Sequence, residues 1–247
     1  MDLFAKAVVA VTAGLLAAVL MAVPLAYAAA PPPGLAEALL LTAAFGAAAS
    51  ATSLVPGMAA AMAARRGGRL GAAAQVLYVP AVLPPTAVGV LLLATFSYPR
   101  ALCQLGAEAL CPLAELSLGH VINHPLGVYI AMTVMALPVT FSIYDGALKE
   151  ERAEAYLRSL GFSGPGLVYL LMKSLRPATA SAFLFSWVRS FGELGVLLVF
   201  ASYPPTASIY IYNAWLIYGV GPAVSASLIT AAVVTAAAYL ARRWLYR

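Results

Sequence analysis

An all-α, polytopic membrane protein with six membrane-spanning helices is the fold class this sequence predicts, and three observations predict it. The first is composition: hydrophobic residues make up 63% of the 247-residue chain and charged residues only 9%. A water-soluble domain carries about 25% charged residues, so a chain this poor in charge cannot cover its own core in water. The second is the length of the apolar runs, several of which reach the roughly 20 residues that a helix needs to cross the hydrocarbon layer. The third is the placement of the basic residues, which cluster in alternate segments between the runs. In a membrane protein, lysine and arginine mark the cytoplasmic segments, so the net charge of +5 is no signal for nucleic acid.

In chain order, the first run covers 7–29 and follows Lys6. A cleaved signal peptide is the alternative there, because Ala28-Ala29-Ala30 follows an apolar core. The uncharged run from Ala7 to Ala36 is longer than the 7–15 residues typical of a signal core, which favours a span. A short outer link stiffened by Pro31, Pro32 and Pro33 leads to the second run, 38–62. Arg65, Arg66 and Arg69 then precede the third, 70–96, which contains Pro80, Pro84 and Pro85. Proline is tolerated inside such spans, as also at Pro24, Pro56 and Pro138, where neighbouring groups satisfy the freed backbone.

The longest outer link, "YPRALCQLGAEALCPLAELSLGHVINHP", is expected to form a short surface helix. It holds Cys103 and Cys111, for which a disulfide and two free thiols both remain open. His120 and His124 have i,i+4 spacing but no third ligand beside them, so they read as polar residues at a helix end, with no metal. The fourth run, 125–148, ends near Asp145. A cytoplasmic segment of about 149–176 carries Lys149, Arg152, Arg158, Lys173 and Arg176. The fifth run is 178–201, an outer loop covers 202–218, and the sixth run, 219–241, leads to Arg242, Arg243 and Arg247. Apart from Arg100 and Arg189, every basic residue falls on one side of this arrangement. Both termini are therefore expected in the cytoplasm of a multi-pass cell-membrane protein, surrounded by lipid.

The fifth run breaks the rule that spans exclude charge. "VRSFGELG" places Arg189 and Glu193 four residues apart, on one helix face, where they can pair. A lone charge at the bilayer centre costs about 2.5–3.5 kcal/mol on insertion scales, so the pair is either a structural tie or part of a pathway. Gly192 and Gly195 thin the helix around Glu193, which suits close helix approach or a bend. Enzyme chemistry, by contrast, has no residues to stand on. The lysines are Lys6, Lys149 and Lys173, and none follows a glycine in a phosphate-cradling loop. No catalytic or cofactor motif is present, and Glu193, with Asp145 marginally, is the acidic group available for a proton relay. A conduit powered by a partner is the better reading than an enzyme.

Within the cytoplasmic segment, "DGALKEERAEAYLRSLGFSGPGLVYLLMKSLRP", the stretch from Glu150 to Leu160 is a charged, alanine-rich helix former ended by Gly161. Ser163 and Pro165 are placed to start a second helix, roughly 166–175. The Glu154-Ala155 … Leu160-Gly161 stretch resembles the cytoplasmic coupling motif of ABC importer permeases, with Tyr156 and Leu157 where small alanines are usual. "VLYVPAVLPPTAVGVLLL" resembles the third span of the molybdate, tungstate and sulfate importer permeases through Pro84-Pro85-Thr86 and Gly89. "HPLGVYIAMTVMALPVTF" resembles their fourth span, and "FSWVRSFGELGVLLVF" their charged segment from Phe185 to Gly195. "YPPTASIYIYNAWLIYGVGPA" is similar to an outer loop of the archaeal-type tungstate/molybdate permeases.

The resemblance implies a type I ABC importer permease fold in a single domain, 1–247, without the regulatory domain that some relatives carry. It also implies a homodimer, two ATP-hydrolysing subunits and an extracellular oxyanion-binding protein, and no cofactor of the permease itself. Glu154, Ala155, Leu160 and Gly161 become the expected contact with the ATPase. Arg189, Glu193, Pro84, Pro85 and Thr86 become the expected pathway or gate. A permease of the same class for sulfate or another ligand is the alternative, and a self-sufficient ion-coupled carrier is a third.

Overall fold

The computed structural model describes residues 3–150 and 153–245, and among them every regular element is a helix. Helix α1 (Leu3–Ala17) runs through a π-helical turn, Ala18–Ala22, into α2 (Val23–Leu25). Pro24 lacks an N–H and its ring crowds the carbonyl four residues back, and the wider π turn absorbs that clash. The helix thus ends at Leu25, short of the expected 29.

The second expected span lies inside α3 (Leu35–Arg66) and the fourth inside α8 (Pro125–Glu150). These two pack along their lengths through small residues: a Cβ built on Gly57 would stand 2.5 Å from Thr140 Oγ1. Small residues let backbones approach where lipid offers no hydrophobic drive. Pro56 interrupts the hydrogen-bond ladder of α3, and beside that interruption Thr140 Oγ1 donates to the Ser53 carbonyl at 3.1 Å.

Two expected spans are not continuous helices. In place of 70–96 the chain forms α4 (Gly68–Ala74), a 3-10 turn (Gln75–Tyr78), α5 (Val79–Val82) and α6 (Pro85–Gln104). Leu83 and Pro84 are extended, with ψ of 146° and 136°. Each precedes a proline, whose Cδ excludes the helical region from the residue before it. In place of 178–201 stand α11 (Arg176–Ser190), a turn, and α12 (Gly195–Phe200). The turn is tightened by backbone bonds from Gly192 to Arg189 (3.0 Å) and from Glu193 to Ser190 (3.3 Å). The expected outer loop 202–218 also contains a helix, α13 (Ala207–Tyr218). At 12 residues it is too short to register as a span. The sixth expected span, 219–241, lies inside α14 (Val220–Leu245) except for its first residue, Gly219, which caps α13.

Four of the described helices are long and apolar enough to cross a membrane: Leu35–Arg66, Pro85–Gln104, Pro125–Lys149 and Val220–Arg243. The link expected on the outer side holds a short helix, α7 (Cys111–His120), and a disulfide joins Cys103 to Cys111. The segment expected in the cytoplasm forms α9 (Ala153–Ser159) and α10 (Gly164–Ser174). Leu167 and Leu171 of α10 are fully buried among Met58 and Ala61 of α3 and Phe141, Tyr144 and Leu148 of α8. A second core forms further along the same helices, where Ala49, Val128 and Met132 meet Val196, Leu197 and Phe200 of α12.

Candidate functional site

The two interrupted segments meet at their interruptions. A Cβ on Gly195 would lie 2.8 Å from Pro85 Cβ and 3.1 Å from the Thr86 nitrogen. One turn on, a Cβ on Gly89 would lie 2.9 Å from the Val196 carbonyl oxygen. The glycines are what let α6 and the start of α12 touch backbone to backbone. Pro85 and Thr86 are thereby placed against the residue two positions after Glu193.

The charged pair sits at the end of α11. Arg189 Nη1 lies 3.1 Å from Glu193 Oε2, the geometry its spacing predicts. The two side chains differ sharply in exposure, 38% for Arg189 and 3% for Glu193. Glu193 Oε1 is buried, and the carboxylate is compensated by the Arg189 guanidinium with the Val196 backbone N–H beside it. Its backbone is fastened separately: Ser208 Oγ of α13 donates to the Glu193 carbonyl at 2.7 Å. Alongside, Ala207 N donates to Thr42 Oγ1 at 2.8 Å, tying α13 to α3. Ser208 and Thr42 are positioning residues that sequence reasoning passed over, because their partners are backbone groups far along the chain.

Arg189 lies between two spaces of different size. On one side a cavity of about 10 Å³, enough for about one water, is lined by Met132, Met135, Ser186, Ser190 and Glu193. On the other an open groove of about 630 Å³ is lined by Arg189 together with Tyr78, Pro138, Ser142 and Phe185. A guanidinium has five N–H donors, so bonding Glu193 leaves others directed elsewhere. Chemically this is a cation on an apolar groove wall, held by a buried counter-ion.

The α9–α10 pair is arranged differently. Glu154 Oε1 accepts hydrogen bonds from Arg158 Nε at 3.0 Å and Arg66 Nη2 at 3.3 Å, and its side chain is only 16% exposed. Glu154 therefore turns inward and ties α9 to the end of α3, while Ala155, Leu160 and Gly161 are exposed. Gly161 has φ +87°, and bonds from Gly161 N to Arg158 O (2.9 Å) and Phe162 N to Leu157 O (3.2 Å) form a Schellman cap. Tyr156 on α9, Leu160 and Phe162 in the turn, and Tyr169 on α10 leave an exposed apolar surface on this helix pair. The sequence reading named Arg66 only as one of the basic residues after the second run, without its pairing to Glu154; the i,i+4 spacing of Glu154 and Arg158 was the readable part of this cluster. His120 and His124 have ring centroids 6.4 Å apart, and among the described residues no three histidines, cysteines or acids gather as a metal site.

No protein-family model matches the chain. Three curated archaeal proteins do, each described as a molybdate/tungstate transport system permease protein. The one from Thermococcus kodakarensis is 29% identical over 144 residues, covering 57% of this chain and 50% of that protein. The one from Pyrococcus abyssi is 29% identical over 173 residues, covering 69% and 61%. The one from Pyrococcus furiosus is 26% identical over 169 residues, covering 67% and 59%. The chain thus spans half to about three fifths of the length of the curated relatives it matches. Relatives of one description, found for a helical chain whose motifs pointed the same way, make this chain similar to molybdate/tungstate transport system permeases over half to about three fifths of their length.

Proposed function

We propose that this chain is the permease subunit of an ABC importer that moves a tetrahedral oxyanion, molybdate or tungstate, into the cell. In this reading six segments cross the membrane: α1–α2, α3, α4–α6, α8, α11–α12 and α14. Both termini are cytoplasmic. The chain works as a homodimer with two ATPase subunits, and an extracellular binding protein delivers the anion. The observation that carries the reading is the meeting of the two interrupted segments beside the Arg189–Glu193 pair, with Arg189 on an open groove. Interrupted helices at membrane depth are the usual places where transporters bind and pass ions.

A doubly negative anion crossing a low-dielectric region needs a compensating positive group, and Arg189 provides one. The attraction must also be limited, since an anion held tightly is not released. Glu193 does this by holding part of the guanidinium charge and fixing its direction. Pro84, Pro85 and Thr86 hold the extended step of the facing segment against Gly195, so a shift of either segment moves the other. The helix pair α9–α10 offers its exposed face, with Ala155, Leu160 and Gly161, to the ATPase. Glu154, through Arg66, joins that face to α3. A rigid pair so tied passes a nucleotide-driven rotation into the membrane segments.

Reconstitution in liposomes with the cognate ATPase and binding protein tests this. Uptake of tungstate or molybdate that requires ATP, the ATPase and the binding protein supports the proposal. Transport by the chain alone, driven by an ion gradient, would overturn it in favour of a carrier. Uptake that responds to sulfate alone would assign the same machinery a different ligand.

A further inference from the structure

A second open groove, of about 540 Å³, runs between α11 and α14. Val188 of α11 packs with Val234 of α14 in one buried cluster. From there the lining steps down both helices in opposite chain directions, to Ser181 on α11 and Arg242 on α14. At a rise of 1.5 Å per residue, Val234 and Arg242 stand about 12 Å apart along the helix. Between the two ends the wall is mostly apolar, with Leu184, Phe185 and Ala238, and Thr235 is a small polar exception near the top. Arg243 follows Arg242, and Arg176 begins α11 at the same end. Neither helix carries an acidic residue.

We propose that this groove holds an anionic membrane lipid, with its phosphate at Arg242 and an acyl chain laid along Leu184, Phe185, Val188 and Ala238. The chemistry fits at both ends. A guanidinium recognises phosphate oxygens in a bidentate fork, and with five donors a contact inside the protein still leaves others for a headgroup. Basic pockets between membrane helices bind lipid headgroups in this way. The apolar stretch of about 12 Å matches most of one leaflet of a hydrocarbon layer about 30 Å thick. The charge complementarity at the basic end favours a lipid over a second protein copy. This inference requires that α14 cross the membrane, and it stands whether or not the transported ligand is an oxyanion.

The test uses the full chain purified in mild detergent with whatever subunits accompany it. Native mass spectrometry follows retention of phosphatidylglycerol and phosphatidylcholine offered in equal amounts. Phosphatidylglycerol should be retained about fivefold better, the preference one basic residue near a bilayer surface typically supplies. Arg242→Gln should bring the ratio towards one, and Ala238→Trp, which fills the groove, should release phosphatidylglycerol from a particle of unchanged size. Equal retention of the two lipids, or an unchanged ratio in Arg242→Gln, would overturn the proposal. So would a smaller oligomer in Ala238→Trp with lipid retained, which would place a second copy in the groove. Full displacement by inorganic phosphate would assign the site to a free anion instead.

Discussion

The α3–α8 pair and the pair formed by α4–α6 with α11–α12 both come from apolar runs of span length, yet one is continuous and the other broken. Along α3 and α8, small residues such as Ala49, Gly57 and Ala61 bring two helices together that stay continuous through Pro56 and Pro138, and Pro56 has a hydroxyl beside it. In the second pair, consecutive prolines hold Leu83 and Pro84 extended, and the Gly192–Leu194 turn ends α11 beside its charged pair. The difference teaches that hydropathy reports where a segment sits, while prolines, glycines and charges decide whether it is a strut or a joint. Here the struts flank the joints, and the charged pair sits at a joint.

If that division is right, the largest effect of a small change should fall on the strut. Gly57→Ala puts a Cβ 2.5 Å from Thr140 Oγ1 and should remove about 1–3 kcal/mol of stability, as overpacking does, with a several-fold loss of monodisperse protein. Gly146→Ala, in α8 where nothing lies within 4 Å, should leave stability unchanged or raise it by up to about 1 kcal/mol. Equal behaviour of the two in thermal unfolding would erase the contrast. At the joint, Gly195→Val should separate α12 from Pro85 and abolish uptake while α3 and α8 still assemble, seen as near-normal yield without transport. The cytoplasmic cap comes next. Gly161→Leu meets no neighbour but forces φ +87° on a side chain, a strain of about 1–2 kcal/mol. It should permit insertion yet let ATP hydrolysis run without transport. The smallest effect belongs to Arg66→Gln, since exposed ion pairs contribute about 0–1 kcal/mol and Arg66 is half exposed. Its thermal midpoint should barely move, although coupling through Glu154 should weaken.

How much of this was legible follows from the same contrast. The runs at 38–62, 125–148 and 219–241 were readable because an unbroken helix and an apolar run have the same length. The pairing of Arg189 with Glu193 was readable too, because i,i+4 spacing survives at the end of α11. The interruption at Leu83–Pro84 was signalled by consecutive prolines but hidden by the continuous hydropathy around them. Helix α13 was hidden by its length, and its anchoring through Thr42 and Ser208 is a long-range match of hydroxyls to backbone that no local pattern announces. Glu154 carried a correct helix signal, but which way its carboxylate turned depended on Arg66, a residue 88 positions away.

The central claim, that the joint with its charged pair handles the anion, is tested most directly by Arg189→Gln beside Glu193→Gln and the double variant, in the reconstituted complex with ATPase and binding protein. The measurements are folded yield and ATP-driven uptake of tungstate or molybdate. The account predicts that Arg189→Gln inserts and assembles but loses uptake by at least about tenfold, roughly 1.4 kcal/mol. The double variant should stay inactive. Full uptake by Arg189→Gln, or poor folding of both single variants restored together with uptake in the double variant, would contradict it and leave the pair a structural tie.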